Sequence, residues 1–489
     1  MKRFIVFVLL ALTGFSVNTA TATQADGVFP PSKSLVFNKQ DLEFNYHYKL
    51  ADDTVVFLGG AAGETKKGRS IRVPLIVRWD LKQDLFEGSV FAQKENFFVR
   101  DESNIKPQLG FHRPWLVRDQ FIVTAEMDWE VDGKVAHTDQ KNYLAVFDGD
   151  FSNISFYEFI DGETKERHTV SPFAQTNDGR LLAAGYKKSV AMPFITFLDE
   201  GLEPTKSLFF PKECLGRKIY SKATQEIVVF NSQEGSLCFI SLQTQEVTKR
   251  KIKEDFLISS VAVDTKGNII ISGQHRRKRE NRYGWQLETD RVLKFNTERE
   301  FTKGIEFSQF IDNHGSDIFF QPESGYILSV ILRLSGVSLQ TNTALIKLSS
   351  ELDVLWGRKV WETTGNSVRS IINDDDGTVN ILLLQEKLPL SKTEIMLGQE
   401  YRVHSTIAER SATLLLTLNG DGSENGDQSE PLKTDIRYLM REEGNIFLET
   451  LKLPYAFTEE LVLKKRQVFL QETNITLENK ELTRPWRDK

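Results

Sequence analysis

What this chain lacks narrows the field first. Across 489 residues there are only two cysteines, Cys214 and Cys238, so at most one disulfide can form within it. There is no basic excess: 62 Lys and Arg against 68 Asp and Glu leave a net charge of −6. That balance argues against a nucleic-acid partner, which calls for a basic surface. Long Ala/Leu/Glu/Lys stretches of helical period are missing, while 34 phenylalanines are present, which favours strands. After the first dozen residues no segment is apolar enough to cross a bilayer, which takes about 20 residues. No GxSxG elbow, HExxH, CxxC, P-loop or helix-opening GxGxxG occurs. Carboxylates are plentiful, but a glycosidase pair is defined by its separation and cannot be chosen from sequence.

The first residues do carry a signal. Lys2 and Arg3 precede an apolar run from Phe4 to Leu12, and Ala20-Thr21-Ala22 places small residues where a signal peptidase cuts. Residues 1–22 are therefore expected to be a cleaved secretory signal, with an uncleaved anchor as the alternative. No cysteine lies near the cleavage site to take a lipid. Residues 23–33 read as a linker, 34–480 as the folded body and 481–489 as a tail. The expected location is the periplasm or the cell exterior, and there Cys214 and Cys238 become a candidate disulfide rather than two buried thiols.

The body is repetitive. A short strand, a tight polar turn and a dense apolar strand recur eight times. The apolar strands include Val55-Val56-Phe57-Leu58, Ile227-Val228-Val229-Phe230, Ile269-Ile270-Ile271 and Ile381-Leu382-Leu383-Leu384, and the last is Ile446-Phe447-Leu448. Turns such as Asp178-Gly179, Lys266-Gly267 and Glu443-Gly444 precede them, because Gly and Asp accept positive φ at little cost. A third strand usually follows and ends in a polar residue, as in Trp79-Asp80, Phe147-Asp148 and Leu198-Asp199. A fourth, more polar strand completes the unit. Four antiparallel strands, the second apolar on both faces and the fourth polar, describe a propeller blade. The expected fold is all-β: a single β-propeller of four-stranded antiparallel blades. Eight blades are favoured, and seven result if the first or last unit is an embellishment. The alternative is two β-sandwiches joined end to end.

These features resemble secreted bacterial β-propellers in general. Eight blades would resemble quinone-dependent dehydrogenases, but the Trp-and-Gly docking signature of those enzymes is not repeated here, so no quinone is inferred.

In such a blade the loops before strand one and between strands two and three share a face. The second-to-third loops are the long ones: 59–72, 129–141, 274–289, 331–342 and 385–410. Length concentrated on one face marks a binding surface on a rigid scaffold, whereas drift would lengthen both faces. Six of seven histidines fall there: His112, His137, His168, His275, His314 and His404. His168 and His314 each lie eleven residues before a turn glycine, and with His112 are expected near the central funnel. Imidazoles meeting there would bind a divalent metal or do acid–base work. Some propeller polysaccharide lyases hold a metal in this way. Dispersed polar loop residues are the plainer reading.

Two segments add chemistry. His275-Arg276-Arg277-Lys278-Arg279 with Arg282, Tyr283 and Trp285 would dock an acidic ligand through charge pairing and stacking, or serve only as a solvated loop. Asn419, Asp421, Ser423, Asn425 and Asp427 form an oxygen-rich run that would hold calcium, although it lacks the acidic twelfth ligand of an EF-hand. The expectation is a monomeric binding module with a protein or glycan ligand on the long-loop face. The rival is a lyase- or hydrolase-type enzyme with a His-containing site at the funnel. An assembly subunit of an envelope complex is the third possibility.

Overall fold

The computed structural model describes most of residues 35–487. Residues 1–34, 94–104, 387–410, 441–448, 453–460 and shorter connecting stretches lie outside the described residues, as do the side chains of several strand ends. The segment expected to be a secretory signal, His314 and His404 are among those outside.

Seven antiparallel sheets stand in a ring. They span residues 42–93, 105–161, 170–209, 217–251, 256–307, 316–360 and 366–418, numbered here as blades 1 to 7. Each runs in simple up-and-down order from an inner to an outer strand. Blade 7 has three paired strands among the described residues, and Leu35–Val36 lies beside the outer one.

The blade count follows from the core, which divides into seven apolar clusters, one per seam. Successive residues of the second strand point to opposite neighbours. In blade 1, Val56 and Leu58 pack with Phe121, Val123 and Phe147 of blade 2. Val55 and Phe57 pack the other way, with Leu382 and Leu415 of blade 7. That is why these strands carry no polar alternation: both faces are buried. The seam between blades 7 and 1 closes the ring.

Seven blades is the smaller of the two expected counts. The eighth repeated unit is an embellishment: the chain after blade 7 runs backwards around the outside of the ring. Ser429–Pro431 adds to the outer strand of blade 6, Ile436–Met440 to blade 5 and Glu449–Lys452 to blade 4. Leu463–Val468 then adds to blade 2 and Ile475–Glu481 to blade 1, and Trp486–Arg487 pairs with Leu35–Val36. Every one of these pairings is antiparallel. An outer blade strand presents unpaired N–H and C=O groups, and this C-terminal belt occupies them. Its side chains enter the core as well: Leu439 joins the seam of blades 4 and 5, Leu461 and Leu463 that of blades 2 and 3, and Val468 that of blades 1 and 2.

The polar residues ending the third strands are turn closers. The Asp199 carboxylate accepts from the N–H groups of Gly201 (2.9 Å) and Glu203 (2.8 Å), and Ser349 Oγ does the same for Glu351 and Asp353. Both turns need a left-handed residue, supplied by Leu202 and Leu352, whose side chains are buried.

Candidate functional site

The two faces of the ring differ. On one, the turns joining strands one to two and three to four are tight. On the other, four of the five long second-to-third segments prove to be hairpins that prolong the blade. In blade 1 the strands Thr54–Glu64 and Ser70–Asp80 stay paired as far as Glu64 and Ser70. In blade 2, Gln120–Val131 and Lys134–Asp148 pair out to Val131 and Lys134. Blade 5 extends to Lys278 opposite Trp285, and blade 6 to Arg333 opposite Thr341. Blades 3 and 4 end low, at Lys187 with Met192 and Asn231 with Ser236. Among the described residues the raised strands therefore form a wall over blades 1, 2, 5 and 6 that blades 3 and 4 do not reach.

Inside that wall lie the ends of the inner strands, which ring the axis. Among the described residues, three charged side chains sit there. Arg217 opens the inner strand of blade 4, Arg217–Ser221. Asp317 is second in that of blade 6, Ser316–Gln321. Arg369 is the residue passed over by a bulge in the inner strand of blade 7, Asn366–Asn373, between the partners Val368 and Ser370. Their strand neighbours Ile219, Ile318, Phe319 and Ile371 are buried in the seams. Asp317 is half-buried. Burial raises its carboxyl above the usual carboxylate range, and the guanidiniums of Arg217 and Arg369 partly offset this.

A disulfide positions the first of these strands. Cys214 ends a short 3-10 turn, Lys212–Cys214, and bonds to Cys238 on the third strand of the same blade, with Cα atoms 5.6 Å apart. The bridge is thus confirmed, on the raised face, three residues ahead of Arg217. Gly216 lies between them because a Cβ there would meet Phe230 O at 2.1 Å.

The residues singled out from sequence are distributed as follows. His168 pairs with Phe159 of the outer strand of blade 2 and is buried edge-on to Phe194, in the seam between blades 2 and 3. Burial pushes its pKa down, against the pull of Glu166 and Asp161. His112 is on the inner strand of blade 2, in register with Thr124, and its side chain lies outside the described residues. His275, Arg276, Arg277, Lys278 and Trp285 belong to the blade 5 hairpin by backbone register, whereas Arg279, Arg282 and Tyr283 are outside the described residues. Asn419 begins a turn in which its carbonyl accepts from Gly422 N–H at 2.8 Å, and Gly420 O accepts from the Trp356 indole at 3.1 Å. Asp421, Ser423, Asn425 and Asp427 lie outside the described residues. Among the described residues no group of three or more His, Cys, Asp or Glu is placed to hold a metal ion, and no helix is long and apolar enough to cross a membrane.

Sequence reading passed over Arg217, Asp317 and Arg369. The available signal was a charge near the start of an innermost strand, as in Ser316-Asp317-Ile318-Phe319-Phe320, where apolar residues otherwise prevail.

The fold places the chain among the seven-bladed β-propellers. In sequence it matches no protein-family model and no curated protein. Among solved structures it is similar to the polysaccharide lyase Uly1, at 11% identity over 84% of this chain and 95% of that one, with a TM-score of 0.29. It is also similar to the extracellular domain of a one-component system from B. thetaiotaomicron, at 10% identity over 84% of this chain and 67% of that one, with a TM-score of 0.17. At these scores neither likeness carries an argument about function.

Proposed function

We propose that this protein is an exported binding propeller that takes an acidic glycan on its raised face. The observation that carries this reading is the asymmetry of the faces: paired hairpins prolong four blades on one side, against minimal turns on the other. Paired strands hold a binding surface more rigidly than irregular loops would. The blade 5 hairpin brings Arg276, Arg277 and Lys278 to the same face, a charge pattern suited to an anionic partner. Export agrees with the basic and apolar start of the chain and with a bridged cysteine pair, which persists in oxidising compartments. The test is a panel of acidic and neutral glycans offered to the intact protein and to a variant with blade 5 residues 276–287 replaced by a two-residue turn. Binding that the shortened variant loses, with its melting temperature kept, supports the reading. Equal binding by both opposes it.

A second reading, an enzyme of lyase type, is favoured by one observation. Asp317 is a carboxyl held above its usual range next to two guanidiniums. Such a group takes up a proton more readily than an ordinary aspartate, and paired guanidiniums stabilise a uronate carboxylate as its α-proton leaves. Appearance of an unsaturated sugar product in ultraviolet absorbance would establish it, and intact glycan after prolonged incubation would exclude it.

A further inference from the structure

We infer that Arg217, Asp317 and Arg369 form a subsite at the mouth of the central channel that holds one uronic acid residue of an acidic oligosaccharide. The inference rests on the raised face being the binding face, and it names the residues and the ligand chemistry there.

The three side chains come from blades 4, 6 and 7, so their spacing is set by the ring and not by any local turn. Asp317 stands next to the buried Ile318 and Phe319, Arg369 lies two residues before the buried Ile371, and Arg217 opens its strand two residues before the buried Ile219. At Asp317 packing alone does not call for a charge, and a charge there carries a desolvation cost. The bulge at Arg369 excludes that residue from ladder register with the second strand of its blade. Bulges re-aim a side chain in this manner, and the innermost strands of blades 1, 3 and 5 carry one as well. The disulfide and the constrained Gly216 hold the start of the Arg217 strand in place.

The charge pattern selects the ligand. Two guanidiniums and one carboxylate leave a single net positive charge, which suits a monoanion better than a dianionic phosphate. A guanidinium fork matches a planar carboxylate through two parallel hydrogen bonds. An ionised Asp317 adds acceptors but no donor, so the ligand must bring hydroxyl groups as well as a carboxylate. A uronic acid has both. The basic hairpin of blade 5 rises from the same face, and its charge would draw in the rest of a polyanionic chain.

The test is calorimetric titration of the full mature chain with tetragalacturonate and with cellotetraose, a neutral sugar of equal length. Wild type should bind the acidic sugar and not the neutral one. Arg217→Gln and Arg369→Gln should each weaken binding by roughly 10-fold or more, since a hydrogen bond to a charged group is worth about 1.5–3 kcal/mol. Arg369→Lys should recover only part of the loss, because it keeps the charge and discards the fork. Asp317→Asn should weaken binding by a few fold. Arg217 is exposed, so its substitution tests the idea even if the variants at blades 6 and 7 fold poorly. Acidic binding that survives both Arg→Gln changes yet is lost on shortening the blade 5 hairpin would overturn the subsite and leave the binding face standing. Preference for cellotetraose, or no binding of either sugar, would overturn the subsite outright.

Discussion

His47, on the inner strand of blade 1, hydrogen-bonds Ser370, on the inner strand of blade 7, across 323 residues of sequence. The Ser370 hydroxyl accepts from the His47 backbone N–H at 3.2 Å and pairs with the ring nitrogen Nδ1. First and last blades are thus joined by a buried polar pair within an apolar seam. Burial lowers the His47 pKa to about 3, with the backbone at Asn380 pulling the other way, so the ring is neutral in the folded protein.

The first prediction concerns pH and this seam. An unfolded histidine takes up its proton near pH 6.5. The folded state resists protonation down to about pH 3, so the contribution of His47 is fully present above pH 6.5 and falls as the pH drops from there towards 3. Urea unfolding between pH 7 and 4 should show stability declining with acid. Ser370→Ala should lower stability at pH 7 by about 1–3 kcal/mol, the cost of an unsatisfied buried partner. A His47→Gln variant should show a shallower pH dependence. An unchanged slope in that variant would remove His47 as the cause.

A second acid-sensitive contact lies between blades 2 and 3. Asp161 accepts from Lys187 Nζ at 2.6 Å and from the N–H groups of Glu163 (2.8 Å) and Thr164 (3.1 Å). Burial alone would raise this carboxyl, but these donors outweigh it and hold its pKa well below the usual range. The stabilisation is therefore present above about pH 4 and is lost only as the pH falls further. Asp161→Asn should cost about 3 kcal/mol at pH 7, because it leaves the largely buried Lys187 ammonium without its counter-charge. Thermal melts of the two proteins should converge as the pH falls below 4.

The belt gives a third prediction. Glu158, almost fully buried, meets Arg466 of the belt at 2.6 Å, and Lys465 meets Glu203 at 3.0 Å. A chain ended after residue 460 loses these pairs, the apolar Leu461 and Leu463, and the strands covering the outer edges of blades 2 and 1. Exposed edges recruit other strands. The shortened protein should melt earlier and elute as oligomers in size-exclusion chromatography. A stable monomer would show that the edges need no cover.

Reduction supplies the fourth. The bridge between Cys214 and Cys238 spans a sequence separation of 24, and a loop of that length contributes about 3 kcal/mol. Alkylation should find two thiols only after reduction. The reduced protein should be less stable in urea, and it should also bind acidic sugar more weakly, because the bridge holds the strand that begins with Arg217.

The blades were legible because burial on two sides leaves a mark. Ile269-Ile270-Ile271 has no polar alternation, and only a strand between two neighbours tolerates that. The same mark misled at the C-terminus. Glu443-Gly444 followed by Ile446-Phe447-Leu448 resembles a blade's turn and second strand, yet the strand that follows, Glu449–Lys452, pairs with the outside of blade 4. An apolar run after a Gly turn occurs in more than one setting, so composition does not separate a blade strand from its neighbours at the C-terminus. The prolonged hairpins read as loops because Gly, Lys and Arg crowd segments such as 59–72, a composition that strands and loops share when the pairing partner is unknown. Arg217, Asp317 and Arg369 stayed hidden for another reason. Their proximity arises from ring closure across 152 residues, and no local pattern encodes it.

The most direct test of the account is hydrogen–deuterium exchange of the full chain with and without tetragalacturonate. Protection on binding should fall on the blade 5 hairpin and on the starts of the inner strands at Arg217, Ser316 and Asn366. The opposite-face turns at 176–180 and 264–268 should exchange as before. Protection confined to those turns or to the belt strands would contradict the assignment of the binding face.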